Sequence, residues 1–160
     1  MDFIAKKAPL NTLKTECIVL TMTSNGKFSA KTRDFDKKIG GLLRKVVLRN
    51  KTSGNLGETL MFQDVPGVSA DRVLLVRLGE PKDMNRKTFK KVVLEVAREL
   101  KKNNIRQVVC DLLDTKLQDD NSIEKKIDAL VRTFESQNYT FLENKSKTKN
   151  FQPGIQKVVL

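Results

Sequence analysis

The 160-residue sequence contains no histidine and no tryptophan. Catalytic triads that use histidine, histidine–zinc sites and acid–base catalysis by imidazole are therefore excluded from this chain. No apolar run approaches the roughly 18 to 20 residues that a transmembrane helix requires. The first residues, MDFIAKKAPLNTLK, lack the apolar core of a signal peptide. We therefore expect one globular domain, spanning residues 1–160, in the cytoplasm and without membrane contact.

Cysteine is also scarce. Cys17 and Cys110 each lie inside an apolar stretch, and neither has a partner at metal-ligand spacing. An intracellular chain of this size rarely carries a disulfide. We expect two buried thiols that pack as small hydrophobic side chains.

Positive charge, in contrast, is abundant, with 31 lysines and arginines against 19 acidic residues and a net charge of +12. Residues 27–51 carry nine basic and two acidic side chains, and residues 82–106 carry nine and three. Residues 107–144 reverse the balance, with four basic and eight acidic side chains, and residues 145–160 add four lysines. A field of this sign attracts polyanions or an acidic partner surface.

Short β-type runs alternate with amphipathic helical runs, which predicts an α/β fold with a mixed, largely parallel sheet flanked by helices. The nearly continuous apolar runs CIVL, RVLLVRL and QVVCDLL are typical of central strands covered on both faces. The predicted strands are Phe3–Lys6, Cys17–Met22, Thr59–Phe62, Arg72–Leu78, Gln107–Leu112, Tyr139–Leu142 and Lys157–Leu160.

Three helices are predicted from apolar residues at helical spacing. Asn121 and Glu124 indicate a capping box at the start of the third helix, and Asn103 with Asn104 ends the second. Gly40 and Gly41 lie inside the first helical pattern, where we expect close packing against a neighbouring backbone. The apolar faces are Phe35, Ile39, Leu42, Leu43 and Val46; Phe89, Val92, Val93, Val96, Ala97 and Leu100; and Ile123, Ile127, Leu130, Val131 and Phe134.

Residues 143–160 read as a basic tail. The stretch from Glu143 to Gly154 is polar and has no core-facing periodicity, which predicts a linker or surface excursion before the last short strand. Because the chain stops on the apolar run Val158-Val159-Leu160, we expect it to lead into a further domain.

Three pairs of acids are candidates for metal binding or acid–base chemistry. Asp34 with Asp36, and Asp119 with Asp120, are placed at predicted helix starts, where carboxylates stabilise the positive end of the helix dipole. Asp111 and Asp114 close a strand at the carboxyl edge of the sheet, which is the functional edge in open α/β folds. No third oxygen ligand falls at suggestive spacing, so a solvated loop is the favoured interpretation of this pair. No catalytic or metal-binding residue is assigned.

Gly54 and Gly57 have the spacing G-x-x-G, but the ETLMF that follows has the pattern of a strand. A phosphate-binding loop would lead into a helix, so we interpret these glycines as turn residues.

The second predicted helix carries a basic face formed by Lys87, Lys91, Arg98, Lys101 and Lys102. A solvated helix face explains such lysines, and contact with nucleic-acid phosphates is the functional alternative. Eight phenylalanines and one tyrosine, mostly at core positions, leave no evident platform for stacking bases.

The combination of these runs resembles the N-terminal domain of leucyl aminopeptidases, also called cytosol aminopeptidases. The resemblance is carried by CIVL, a helix with GG and LLRK, the segment SGNLGETLMFQDVPGVSADRVLLVRLGEPKDMNRKTFKK, and VVCDLL. Its most specific part is the segment from Gly54 to Lys91, with G-x-x-G-E-T, P-G-V and R-V-L-L-V-R-L-G. It implies a layout similar to macro domains.

The resemblance also implies a C-terminal catalytic domain with two divalent metal ions, manganese or zinc, and assembly into a hexamer. Metal-activated water attacks the N-terminal peptide bond in that family. Its metal-binding patterns, such as N-T-D-A-E-G-R, do not occur in this sequence, so no catalytic or metal residue is carried over. Some bacterial members also bind DNA.

Three functions follow as hypotheses. The first is a non-catalytic N-terminal domain that contributes to assembly and active-site access in an aminopeptidase. The second is a nucleic-acid-binding module, and the third is a macro-type binder of ADP-ribose or a related nucleotide.

Overall fold

The computed structural model describes residues 1–6, 8–50, 53–143 and 154–160, with the backbone alone for residues 140–143. Its strands are β1 (Asp2–Ile4), β2 (Cys17–Met22), β3 (Thr59–Gln63), β4 (Arg72–Arg77), β5 (Gln107–Cys110) and β6 (Lys157–Val159). They form one sheet in the order β1-β6-β5-β2-β4-β3. Neighbouring strands are parallel except β3, which pairs antiparallel with β4.

Helices cover both faces of this sheet. On one face α1 (Ala30–Lys38) and α2 (Leu42–Arg49) contribute Phe35 and Leu43 to a core with alternate residues of β2 and β4. On the other face α3 (Arg86–Lys102) and α4 (Ile123–Glu143) contribute Phe89 and Phe134. All six residues of β2 are buried, as the apolar run predicts for a strand covered on both sides. The mixed, mostly parallel α/β sheet is confirmed.

No helix among the described residues combines the length and apolar character needed to cross a bilayer.

Of the predicted strands, Tyr139–Leu142 is wrong. These residues continue α4, which runs to Glu143. Neither glycine nor proline occurs between Ile123 and Glu143, so nothing ends the helix before the short apolar run. The other six predicted strands are present with small shifts at their ends. The last of them, β6, lies inside the sheet between β1 and β5. The predicted linker over residues 144–153 lies outside the described residues.

Gly40 and Gly41 separate two helices rather than packing inside one. Both have positive φ, 72° and 73°, and a Cβ added at either would meet no atom within 4 Å. The expectation of close packing was therefore wrong. The left-handed backbone turns the chain between α1 and α2, a conformation that glycine adopts without steric cost.

The predicted capping box of α4 is also wrong. Asn121 Oδ1 accepts a hydrogen bond from the Leu117 N–H, and the Ser122 hydroxyl oxygen accepts one from the Lys125 N–H. Ser122 therefore takes the N-cap position. Ile123, predicted for the apolar face, is 52% exposed. The end of α3 is confirmed, with Asn103 as C-cap and Asn104 at φ 56°.

Of the aspartates predicted at helix starts, Asp36 and Asp119 act on different helices from those expected, whereas Asp120 precedes α4 as predicted. Asp34 and Asp36 lie in the middle of α1, but Asp36 Oδ1 accepts from the Leu43 N–H at the start of α2. Asp119 accepts from the Arg86 N–H at the start of α3, and Asp120 precedes α4, where it pairs with Lys125. Carboxylates do therefore satisfy helix N-termini, through the tertiary fold.

The two cysteines are buried free thiols, as predicted. Burial raises the pKa of Cys17 to about 12 and raises that of Cys110 as well. Both thiols stay protonated in the folded chain at neutral pH.

Candidate functional site

The carboxyl ends of β2 and β5 mark a point where the chain leaves the sheet toward opposite faces. β2 leads into α1 on one face, while the neighbouring parallel strand β5 leads into α4 on the other. In open α/β sheets such a switch point forms a crevice suited to ligands. Side chains from α1 and from the segment after β5 meet here.

Lys31, in the first turn of α1, joins two carboxylates from the segment after β5. Its Nζ lies 2.9 Å from Asp111 Oδ1 and 2.8 Å from Asp114 Oδ2. The Asp111 side chain is 4% exposed, whereas Lys31 and Asp114 are more than half exposed. Asp111 Oδ2 and the Thr115 hydroxyl are buried, and neither has a hydrogen-bond partner in the described part of the chain. We call Lys31, Asp111 and Asp114 the edge cluster.

Burial and pairing compete in setting the protonation of the edge cluster. Burial raises the pKa of Asp111, and the Lys31 ammonium opposes this rise without cancelling it. For Lys31, partial burial works to lower the pKa, but the two carboxylates outweigh it and raise the pKa. Lys31 therefore stays charged, and Asp111 gains a proton more readily than an exposed aspartate does.

The edge cluster does not fit a divalent metal ion, the functional alternative considered for Asp111 and Asp114. The Lys31 ammonium already lies between the two carboxylates, and its charge opposes a metal cation there. Across the residues that the structure describes, no group of three or more Cys, Asp or Glu side chains is placed to hold a metal ion. The sequence favoured a solvated loop for Asp111 and Asp114. Asp114 is exposed, as that interpretation requires, but Asp111 is buried.

A cavity of about 560 Å³ lies beside the edge cluster, at the carboxyl ends of β1, β5 and β6. This volume falls in the range of roughly 300 to 1,000 Å³ that is usual for ligand sites. Its walls are mainly apolar, and Lys6, Lys31 and Asp111 supply the charged groups. The apolar wall includes Ala8, Leu10, Leu13, Val109 and Leu160.

Two lysines of this region could not be identified as site residues from the sequence. Lys31 lies in a long basic stretch, so its role as the partner of both aspartates depends on the fold alone. Lys126, on α4, is buried, and its Nζ donates to the Leu113 carbonyl at 3.0 Å. Burial lowers the pKa of Lys126. No residue spacing distinguishes Lys126 from its exposed neighbour Lys125.

The structure divides the five basic residues that were predicted on α3. Lys87 and Lys91 are exposed, one helical turn apart. Arg98 pairs with Glu95 at 2.7 Å, and Lys102 Nζ lies 3.8 Å from Glu99. Lys101 donates to the Gln137 carbonyl of α4 at 3.3 Å. Only the N-terminal half of α3 keeps basic side chains that face solvent without these acidic neighbours.

A groove of about 400 Å³ runs between α3 and α4 beside that half. Lys87, Lys90 and Lys91 line it from α3, and Arg132 lines it from α4. Arg132 also pairs with Asp128 at 2.6 Å. We call these four basic residues the basic groove. Lys90 joins the set although the sequence interpretation omitted it.

The G-x-x-G-E-T segment forms a structural turn rather than a ligand-binding loop. Gly54 and Gly57 both have positive φ, and the strand β3 follows, as predicted. A Cβ at Gly57 would lie 2.9 Å from Glu95 Cγ, so α3 packs directly on this turn. Glu58 pairs with the buried Arg77 at 3.1 Å. No helix begins at these glycines, so nothing here favours the macro-type nucleotide hypothesis.

The sequence model described as "Cytosol aminopeptidase family, N-terminal domain" matches residues 19–148. A probable cytosol aminopeptidase of Haemophilus influenzae is 31% identical over 147 residues, which are 92% of this chain and 30% of that protein. One of Thioalkalivibrio sulfidiphilus is 28% identical over 160 residues, the whole of this chain and 32% of that protein. The chain thus spans about 30% of the length of these relatives.

Solved structures show the same fold at low sequence identity. A variant of tomato leucine aminopeptidase superposes with a TM-score of 0.72 at 17% identity, over 99% of this chain and 32% of that one. The macrodomain of Mycobacterium tuberculosis DarG gives 0.68 at 12% identity, over 99% and 96% of the two chains. The macro-domain-like layout is confirmed at the level of the fold.

Proposed function

This chain belongs to the cytosol aminopeptidase family, of which it is an N-terminal domain, and we propose that it is the non-catalytic part of a longer metallo-aminopeptidase. In that protein it supports assembly and shapes access to the active site. The observation that carries the proposal is the match of residues 19–148 to the N-terminal domain alone, in relatives about three times as long.

The site chemistry supports this division of labour. The buried carboxylate Asp111 is paired with a lysine, and both thiols are held protonated. The two divalent metal ions, manganese or zinc, belong in this proposal to a C-terminal catalytic domain, which is also the principal partner. A hexameric assembly and a cytoplasmic location complete it.

Turnover by the chain and by a chimaera tests the proposal. We expect the 160-residue chain to hydrolyse no leucine p-nitroanilide with Mn²⁺ or Zn²⁺ added. A chimaera in which it replaces the matched 147 residues of the Haemophilus influenzae relative should assemble as that relative does and hydrolyse the substrate.

The control is the same relative with those residues deleted, which should lose assembly, activity or both. Sedimentation velocity reports the assembly. Turnover by the 160-residue chain, or a deletion protein as well assembled and active as the chimaera, contradicts the proposal.

A second candidate function is nucleic-acid binding through the α3 surface, favoured by the basic groove and by the net charge of +12. In this candidate, Lys87 and Lys91 contact the phosphates, together with Lys90 and Arg132. Arg98 and Lys102 contribute less, because each has an acidic neighbour. Lys101 is engaged with α4. Contacts of this kind read phosphates rather than base sequence.

Binding to duplex DNA as a function of salt tests this candidate. The logarithm of the affinity should fall linearly with the logarithm of salt concentration, with a slope of about −0.9 per phosphate contact. The double variant Lys87→Glu/Lys91→Glu should flatten that slope by about two units and weaken binding alike on all sequences.

Arg98→Glu/Lys102→Glu is the matched control, with the same change of charge on the same helix. It should weaken binding less at equal salt. A slope near zero for the unaltered chain, or equal losses in the two double variants, ends this candidate.

A further inference from the structure

The cavity beside the edge cluster combines apolar walls with a balanced set of charges. Lys6 and Lys31 contribute two positive charges, and Asp111 with the Lys31 partner Asp114 contributes two negative ones. A ligand that carried only one sign of charge would leave this set unbalanced in a partly desolvated site. A ligand with one charge of each sign preserves the balance and, unlike an uncharged ligand, can form charge-assisted contacts with both signs.

The spacing of these charges limits the kind of zwitterion. Lys31 Nζ and Asp111 Oδ1 are 2.9 Å apart, so the positive and negative groups offered to a ligand are adjacent. An α-amino acid carries its ammonium and carboxylate on one carbon atom, which matches adjacent partners. In an extended dipeptide the two charges lie a full residue further apart.

Asp111 has unused capacity to accept a hydrogen bond. Its side chain is 4% exposed, and Oδ2 has no partner among the residues described. Leaving a buried carboxylate oxygen unpaired costs about 1 to 3 kcal/mol, more when it is charged. An ammonium group supplies the missing donor, and a charged donor binds a carboxylate more strongly than a neutral one does.

From this geometry we propose that the cavity binds a free apolar α-amino acid, such as leucine. Asp111 accepts its ammonium, and Lys31, held in place by Asp114, faces its carboxylate together with Lys6. The side chain lies against the apolar wall formed by Leu10, Leu13 and Val109. The site is independent of the proposed function, because every residue that forms it lies in this chain.

Ligand analogues test the charge recognition on the unaltered chain. L-leucine, titrated into isotope-labelled chain, should shift the amide resonances of Val109, Cys110 and Asp111 in a saturable way. N-acetyl-leucine lacks the ammonium, and leucinamide lacks the carboxylate. Each should bind roughly tenfold or more weakly, since each loses one charge-assisted contact. Glycine should bind more weakly than leucine because it buries no side chain.

A pair of isosteric variants tests the assignment to Asp111. Asp111→Asn removes the charge and keeps the shape, and it should weaken leucine binding by roughly tenfold or more. Asp128→Asn is the control, because Asp128 lies on the exposed side of α4 and pairs with Arg132, away from the cavity. It should bind leucine as the unaltered chain does.

The outcomes are decisive in either direction. Absence of saturable shifts with leucine, binding of leucinamide or N-acetyl-leucine as tight as that of leucine, or equal leucine binding by the two variants would overturn the assignment. Should Asp111→Asn fail to fold, the analogue series on the unaltered chain still decides. The measurement is of binding, so its failure is distinct from a failure of the aminopeptidase proposal, which is measured by turnover and assembly.

Discussion

At the scale of single residues, the Glu58 carboxylate accepts hydrogen bonds from three separate groups. The Ser53 and Gly54 N–H groups donate at 3.2 Å each, and Arg77 Nε donates at 3.1 Å. Arg77 is 3% exposed, and its Nη1 also donates to the carbonyls of Thr23 and Ser24. Glu58 thus joins the G-x-x-G turn to the end of β4, which accounts for the acidic residue in that motif.

We predict that Glu58→Gln destabilises the chain by about 3 kcal/mol, because it replaces the carboxylate that pairs with the buried Arg77 guanidinium by a neutral amide. This figure is at the low end for a broken buried pair, since Glu58 is 23% exposed. Urea denaturation of the 160-residue chain measures the change.

Glu95→Gln is the matched control for this prediction. Glu95 makes an exposed ion pair with Arg98 three residues along α3, and such pairs contribute about 0.5 kcal/mol. A Glu58→Gln variant as stable as Glu95→Gln would show that the Arg77 pair adds nothing to folding.

At the scale of elements, apolar periodicity predicts α3 and the central strands well. Each of the six predicted face residues of α3 is fully buried. The predictions fail where a short sequence pattern is compatible with two different local structures. The run from Tyr139 to Leu142 is apolar enough for a strand, but it is preceded by an uninterrupted helix. Gly40 and Gly41 could lie inside one helix or form a turn between two helices. The structure has the turn, and the local sequence does not decide between the two.

The candidate site was predictable only in part for a related reason. The position of Asp111 and Asp114 after an apolar strand indicated the functional edge of the sheet. Lys31 is 80 residues from Asp111 in sequence, and no local pattern links them. The order of the strands, with β5 beside β2, brings them together. Helix caps behave similarly, since Asp36 and Asp119 cap helices to which they do not belong.

At the scale of the whole molecule, the central sheet sets how stability depends on alkaline pH. Cys17 on β2 and Cys110 on β5 lie in the same core, against α3 and α4. Burial raises the pKa of both thiols, so the unfolded chain loses these protons at lower pH than the folded chain. A group that holds its proton more tightly when folded lowers stability as pH rises above its unfolded pKa. The falling net charge has the opposite effect and raises stability. As lysines lose their protons at high pH, the repulsion among the 31 basic residues weakens.

Comparison with thiol-free variants separates these two effects, because every lysine is retained. Between about pH 8 and pH 10, each thiol should lower the free energy of unfolding by about 1.5 kcal/mol. Cys17→Ala and Cys110→Ala will each be less stable than the unaltered chain at neutral pH, since each leaves a small cavity in the core. Their stability should nevertheless fall less over this pH interval, and the double variant should show the smallest fall.

Urea denaturation at both pH values measures the difference. Equal losses in the unaltered chain and the double variant would mean that the thiols ionise without unfolding, and rapid alkylation of the folded chain by iodoacetamide at pH 10 would then accompany them.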